Sequence, residues 1–373
     1  MTYLDANATE KLRPEAREAL LAALAVTGNP SSVHAAGRAA HRLLEDSRET
    51  IAVAFGARAA DVVLLSGATE ADAQAIAALG TGRRVILGAT EHDAVRAAAP
   101  GAEILPVDRR GVADLDALAR MLAEGGPALV CLMAANNETG TLQPIAAAAE
   151  ICRAAGAWLH VDAVQAAGRL PLDFAALGAT SMALSGHKLG GPAGAGALLV
   201  APALSAGFRP LGAGGGQERG RRGGTPPLPA IAGFAAAARA AVAGLTDMPR
   251  IAALRDALEA EATAAGAMVM GAGAPRIANT TCLALPGVAA QTQVIALDLA
   301  GVQVSAGAAC SSGKVAESHV LRAMDAGPLA GEAIRVSLCW DATEADVAAF
   351  LRAWHDMAGR LYPSGKQGKA SFS

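Results

Sequence analysis

A chain of 373 residues that is 53% hydrophobic can bury a large core, and its length suits two domains. A net charge of −3, without any RNP, helix-turn-helix or zinc-finger pattern, excludes a general nucleic-acid surface. Residues 1–17 carry both signs of charge and no apolar stretch, so no secretory signal is read there. The uncharged run 189–208 is long enough to cross a bilayer, but five glycines and two prolines interrupt it; it is read as loop and buried strand, with no membrane partner. A cytoplasmic protein is expected. Five cysteines, odd in number and without a CxxC pair, fit reduced thiols better than disulfides or zinc.

In chain order, Tyr3 to Thr9 reads as a short extended opening, and Pro14 to Ala25 as a helix that stops at Gly28-Asn29-Pro30. Ser31 or Ser32 is placed to cap the next helix, His34 to Phe55, which Gly56 ends. Strands then follow at Val62 to Ser66, Val85 to Gly88, Ile104 to Val107, Ala128 to Ala134, Trp158 to Val161, Met182 to Ser185 and Ala197 to Ala201. Helical stretches separate most of them, the clearest starting at Asp114 and halted by Gly125-Gly126. This alternation predicts an α/β fold with a mostly parallel sheet, covered on both faces, whose ligand lies at the strand ends. The glycine- and arginine-rich stretch 212–225 lacks the flanking strand and helix of a dinucleotide loop, and reads either as a flexible surface loop or as a basic loop reaching an anion. Alanine-rich helices follow at Pro229 to Leu245 and Pro249 to Ala265. From about Met268, short strands (Thr280 to Leu285, Ile334 to Cys339) mix with helices (Gln293 to Ala300, His319 to Met324, Glu344 to Leu361) as a smaller α+β domain.

The chemistry gathers where strands end. Only Lys11, Lys188, Lys314, Lys366 and Lys369 are lysines, and Lys188 lies deep in the chain in apolar surroundings, in Ser185-Gly186-His187-Lys188. Such a lysine is either a buried cation with a partner or an amine able to form a Schiff base. Asp162 and Gln165, one predicted unit upstream, favour the second, because a pyridoxal phosphate site needs a lysine amine and an acid partner for its ring nitrogen. Ser66 to Glu70 sits where a strand turns into a helix, so backbone N–H groups and the Thr69 hydroxyl suit a phosphate. His92 and Asn137 follow two further strands. Thr69, His92, Asn137, Asp162, Gln165, Ser185, His187 and Lys188 thus fall on one sheet edge. His160, Asp162 and His187 are possible metal ligands, but the further ligand at fixed spacing that would complete such a set is missing. Cys131, Cys152, Cys282 and Cys339 lie in apolar elements, whereas Cys310 sits among small residues in Ser305 to Gly313, where an accessible thiol can act as a nucleophile. Arg335, in an otherwise apolar strand, suits either a substrate carboxylate or a structural ion pair.

Taken in order and spacing, these segments resemble the cysteine desulfurases of the NifS/IscS type, within the class V, fold-type I pyridoxal phosphate enzymes. The likeness also covers Tyr3-Leu4-Asp5, Asn7-Ala8-Thr9, Gly28 to Ser32 with His34, Gly215 to Glu218, Arg222 to Thr225 and Ser318 to Arg322. It implies a seven-stranded, mostly parallel sheet in a large domain (11–246), and a small domain (1–10 and 247–373) carrying the cysteine loop. It further implies that Lys188 holds pyridoxal 5'-phosphate and moves the substrate's α proton, that Asp162 pairs with the ring nitrogen, and that His92 stacks on the ring. Gln165 and Asn137 would meet the ring oxygen; Thr69, Ser185 and His187 would hold the phosphate, with Thr225 from the other subunit of a homodimer. Arg335 would bind the carboxylate of L-cysteine, and Cys310 would take the sulfur as a persulfide, releasing alanine, for an acceptor such as an iron-sulfur scaffold or thiolation carrier. Glu10 departs from the family's common threonine, and Ala71 and Ala73 replace polar residues. The competing readings are a lyase acting on selenocysteine or another amino acid, which shares the cofactor site, a non-catalytic paralogue that keeps the fold as a binding partner, and a simple aminotransferase, which would leave the cysteine loop unexplained.

Overall fold

Unbroken apolar runs such as Val62-Val63-Leu64-Leu65 have no polar face to turn to water, so each strand must be covered on both sides. The computed structural model describes residues 1–208, 210–212, 214–307 and 317–361. In chain order the elements are β1 (Thr2–Tyr3), α1 (Pro14–Leu24), α2 (Ala35–Ala54), β2 (Val62–Leu65), α3 (Ala68–Leu79), β3 (Arg84–Gly88), α4 (Asp93–Ala98), β4 (Glu103–Leu105), α5 (Leu115–Ala123), β5 (Ala128–Met133), α6 (Ile145–Ala154), β6 (Trp158–Asp162), α7 (Phe174–Leu177), β7 (Ser181–Ser185) and β8 (Gly196–Val200). There follow α8 (Leu228–Ala243), α9 (Met248–Ala264), β9 (Met268–Met270), β10 (Thr280–Ala284), α10 (Ala290–Leu299), β11 (Val302–Gln303), β12 (Ser305–Ala306), α11 (His319–Ala323), β13 (Ala333–Ser337) and α12 (Glu344–Leu361).

Among the described residues the large sheet has seven strands in the order β2-β8-β7-β6-β5-β3-β4. All pairs are parallel except those made by β8, which runs antiparallel to both β2 and β7. Side chains obey the period of two: Val62, Leu64, Val130, Leu132, Leu159 and Val161 join one core, while Val63, Leu65, Leu129 and Cys131 join the core on the other face, against α3. The expected α/β architecture is therefore the one observed. A four-stranded antiparallel sheet, β12-β13-β10-β9, packs with α9, α10 and α12 around Ile251, Leu283, Ile334, Phe350 and Trp354. Leu4 belongs to this second core, and β1 pairs with β11 near the chain's other end. The stretch Leu228–Ala264 is long and apolar enough to cross a membrane by composition, but α8 is a core helix, with ten of its residues buried.

Two local readings are corrected by the structure. Neither Ser31 nor Ser32 caps α2; His34 does, its Nδ1 accepting from the Gly37 N–H at 3.2 Å. The stretch after Leu211 is not merely a surface loop, because Glu218 is buried within it. Its carboxylate takes Arg48 Nη1 and Nη2 at 2.5 and 2.8 Å and the Leu64 N–H at 2.8 Å, while Arg48 and Arg221 both donate to Val62 O. Strand β2 is the sheet's edge, and these side chains satisfy backbone groups that no further strand reaches. Replacing Glu218 by alanine would take from buried Arg48 its buried countercharge and leave only the partly exposed Glu45. We expect a loss of about 3–5 kcal/mol in chemical denaturation, whereas an exposed pair such as Arg109–Asp325 should cost less than about 1 kcal/mol when broken.

Candidate active site

The carboxyl ends of the parallel strands open into one cleft between the two sheets. Thr69, His92, Asn137, Asp162, Gln165, Ser185, His187, Lys188 and Arg335 all line it. Each arrives for a local reason. Gly67 and Gly196 let β2, β8 and the start of α3 close up: a Cβ on Gly196 would sit 2.6 Å from Gly67 Cα. The first turn of α3 has no side-chain cap on its N–H groups, so those donors, with Thr69 and the Ser185 hydroxyl nearby, suit an anion. Glu70 turns away from that role, accepting from the Ser66 N–H at 2.7 Å and from Arg222 Nε at 3.1 Å. His187 Nδ1 lies 3.1 Å from Thr9 Oγ1, and burial together with the neighbouring Lys188 charge pushes its pKa down to about 4. It is a neutral imidazole at physiological pH.

Lys188 follows β7 in a single 3-10 turn, where its ammonium donates to the carbonyls of Asn7 and Ala8, the latter at 2.8 Å. Asp162, the last residue of β6, accepts the Val164 N–H at 2.9 Å and otherwise faces the cleft. Burial, reinforced by the carboxyl of Asp72, raises its pKa above the usual carboxylate range. Behind it, His160 shares its sheet face, with Nδ1 2.8 Å from Ser181 Oγ and Nε2 3.0 Å from Asp72 Oδ1. Burial drives the pKa of His160 down to about 4, so it is a neutral ring, held between Ser181 and Asp72. Among the described residues the buried Asp162 forms no ion pair, which suits it to a protonated ring nitrogen. His92 caps α4: its Nδ1 accepts the Ala94 N–H at 3.1 Å, which in the neutral ring leaves the proton on Nε2.

The residues fit pyridoxal phosphate by their chemistry: an amine, a buried carboxylate and an uncapped helix N-terminus beside two hydroxyls line one cleft. Arg335, in mid-strand β13, donates to Asp5 Oδ1 at 2.6 Å and to Asn137 O at 3.1 Å, while its buried Nε has no hydrogen-bond partner among the described residues. Both sequence readings of this arginine thus have a foothold, an ion pair and an unused donor. Thr225 is exposed and outside the cleft of its own chain, and Cys310 lies outside the described residues. Cys131, Cys152, Cys282 and Cys339 are all buried, and burial raises their thiol pKa values, that of Cys152 to about 12.

Residue-by-residue reading missed the hub, Asn7. Its carbonyl accepts from Lys188 and from Gln165 Nε2 (3.1 Å); its side chain donates to Asn137 O (3.1 Å) and Thr280 Oγ1 (2.9 Å); its N–H donates to Ser337 Oγ (3.0 Å). Also unforeseen was Glu138, a buried acid that takes the Ser318 hydroxyl at 2.5 Å and leaves room for no Cβ on Gly307. Gly307 and Ser318 are the residues on either side of segment 308–316 and its neighbour Glu317.

An amine and an acid set over a helix N-terminus, at the carboxyl edge of a seven-stranded sheet, is the layout of the fold-type I pyridoxal phosphate enzymes. The chain belongs to the aminotransferase class-V family, whose model matches residues 2–350. Its sequence is 41% identical to a protein of Cereibacter sphaeroides named cysteine desulfurase, over 96% of each chain. An IscS-like cysteine desulfurase of Mycobacterium tuberculosis is 39% identical over 94% of each. Among solved structures, a NifS-like protein from Rickettsia africae superposes with a TM-score of 0.89 at 33% identity, covering 96% of this chain and 99% of that one.

Proposed function

We infer that this protein is a pyridoxal-phosphate-dependent cysteine desulfurase, an enzyme that removes sulfur from L-cysteine for delivery to an acceptor. The observation that carries the reading is the presence of Lys188 and Asp162 in one cleft, in a chain whose full-length relatives bear that name. Pyridoxal 5'-phosphate supplies, when bound, an electron sink for breaking bonds at the substrate's α and β carbons. Lys188 holds the cofactor through its amine and, once released, carries the proton from the substrate's α carbon. Asp162 holds a proton on the ring nitrogen; burial makes that carboxylate costly to leave unpaired. His92 would lie against the ring with Nε2 available to exchange a proton, and Gln165 and Asn137 would hold the ring oxygen. Thr69, Ser185 and His187 grip the phosphate, with Thr225 supplied by the second subunit of a homodimer. Arg335 and Asn137 receive the substrate carboxylate.

Cys310 thiolate attacks the substrate's sulfur; the carbon–sulfur bond breaks, its electron pair stays with carbon, and protonation there gives L-alanine. The sulfur remains on Cys310 as a persulfide, for an iron-sulfur scaffold or thiolation carrier. Residues 11–246 form the large domain and 1–10 with 247–373 the small one, a division supported by the separate apolar clusters on which Ile86 and Leu283 lie. A cytoplasmic location completes the proposal.

The test supplies L-cysteine to the cofactor-loaded protein with a thiol reductant and quantifies alanine and sulfide. Equal amounts of both are expected. Turnover of L-selenocysteine without L-cysteine would shift the assignment to the lyase, and no alanine from either would overturn it.

A further inference from the structure

Gln165 offers the cleft an amide whose two ends differ, so whatever fixes its orientation decides whether a donor or an acceptor is presented. We propose that Arg169 is a positioning residue that holds the Gln165 amide with Nε2 toward the cleft, and that Glu10 is the buried acid keeping Arg169 in place. This rests on the pyridoxal phosphate reading of the cleft.

Arg169 Nη1 donates to Gln165 Oε1 at 3.0 Å and to Gln165 O at 3.2 Å, so one guanidinium nitrogen grips both the amide and the backbone that carries it. At its other end the amide donates from Nε2 to Asn7 O at 3.1 Å, the carbonyl that also receives Lys188. Flipping the amide would set Oε1 against that carbonyl and the NH2 group against the guanidinium, two like-polarity contacts in a buried place. Held as it is, Nε2 keeps one hydrogen for an anionic ring oxygen.

The grip has its own support. Arg169 and Glu10 are 6% and 7% exposed, with Nη2 and Oε2 3.8 Å apart, an ionic contact without a hydrogen bond. Among the described residues Nη2 has no hydrogen-bond partner. Beside the pair lies a small chamber of about 20 Å³ lined by Glu10, Arg13, Arg169, Lys188 and Cys339, enough for one bridging water. Lys188 borders both this chamber and the cleft.

The experiment compares holoenzymes of the wild type, Gln165→Ala, Arg169→Met, Arg169→Lys, Glu10→Gln and the double variant Gln165→Ala/Arg169→Met. It reads the rate of cofactor loss to a trap, the pH midpoint of the bound cofactor's absorbance, and the melting temperature of each apoprotein. Arg169→Met should speed cofactor loss about tenfold and move the absorbance midpoint, Arg169→Lys should recover part of both, and Glu10→Gln should follow Arg169→Met with a smaller change. In the Gln165→Ala background, Arg169→Met should add less than about twofold. Equal effects in both backgrounds, tracking apoprotein melting, would make Arg169 merely structural and overturn the proposal. So would a changed Gln165→Ala beside an unchanged Arg169→Met, with the cofactor reading left standing. If Gln165→Ala itself behaves as the wild type, the assignment of Gln165 to the cofactor falls together with the inference.

Discussion

The Lys188→Ala protein is expected to make no measurable alanine, a fall of at least about a thousandfold. Borohydride reduction of the wild type should fix one cofactor on the peptide carrying Lys188, and the variant should carry none. The size of the effect follows from position. Lys188 lines the cleft and is held by the Asn7 and Ala8 carbonyls, and among the described residues no other lysine lines it. Among them no neighbour is placed to take over either the attachment or the proton transfer. A variant that still carries borohydride-fixed cofactor and still turns over would remove Lys188 from the centre of the mechanism. Because the substitution only shortens a side chain at the cleft wall, the apoprotein should melt within a few degrees of the wild type, which separates lost chemistry from lost folding.

The second large effect is expected at Cys310. With Cys310→Ala, alanine production in the presence of reductant should fall at least about a hundredfold, while the cofactor's absorbance stays that of the wild type. The other cysteines are poor substitutes: Cys131 and Cys282 are buried in strands, Cys152 in a helix and Cys339 behind Glu10, and burial holds their thiols protonated far above neutral pH. Equal alanine from variant and wild type would show that Cys310 does not accept the sulfur and would favour the lyase. Loss of the cofactor's absorbance along with activity would instead place Cys310 in cofactor retention.

The large sheet was legible because its strands are short apolar runs with turn residues at both ends, and a parallel sheet puts chemistry at one edge. Eight polar residues following strands therefore mark the cleft in the sequence itself. The direction of β8 was not legible, since an apolar run such as Gly196–Val200 reads the same whichever way it points. Nor was Asn7: its part is played through a carbonyl, which every residue owns, and its partners lie up to 330 positions away. Glu218 and Arg169 escaped for a related reason. A charge in a polar or alanine-rich stretch looks solvated until the fold brings Arg48 or Glu10 against it, and no local period marks that meeting. Arg335 stood out because an arginine inside an apolar strand breaks the pattern, yet the pattern could not say that Asp5 would reach it.

Leu4 is buried among residues that extend to Ala358, and the carbonyls that hold Lys188 come only three and four positions after it. The segment around Leu4 therefore finds its place only once that second core has formed. A chain folded through α8 already contains Lys188 and Asp162, but it lacks the strands and helices that pin the Leu4 segment. The setting of the reactive amine is complete only when the second core closes on Leu4, so readiness to capture the cofactor reports the folding of both cores and not of the large sheet alone.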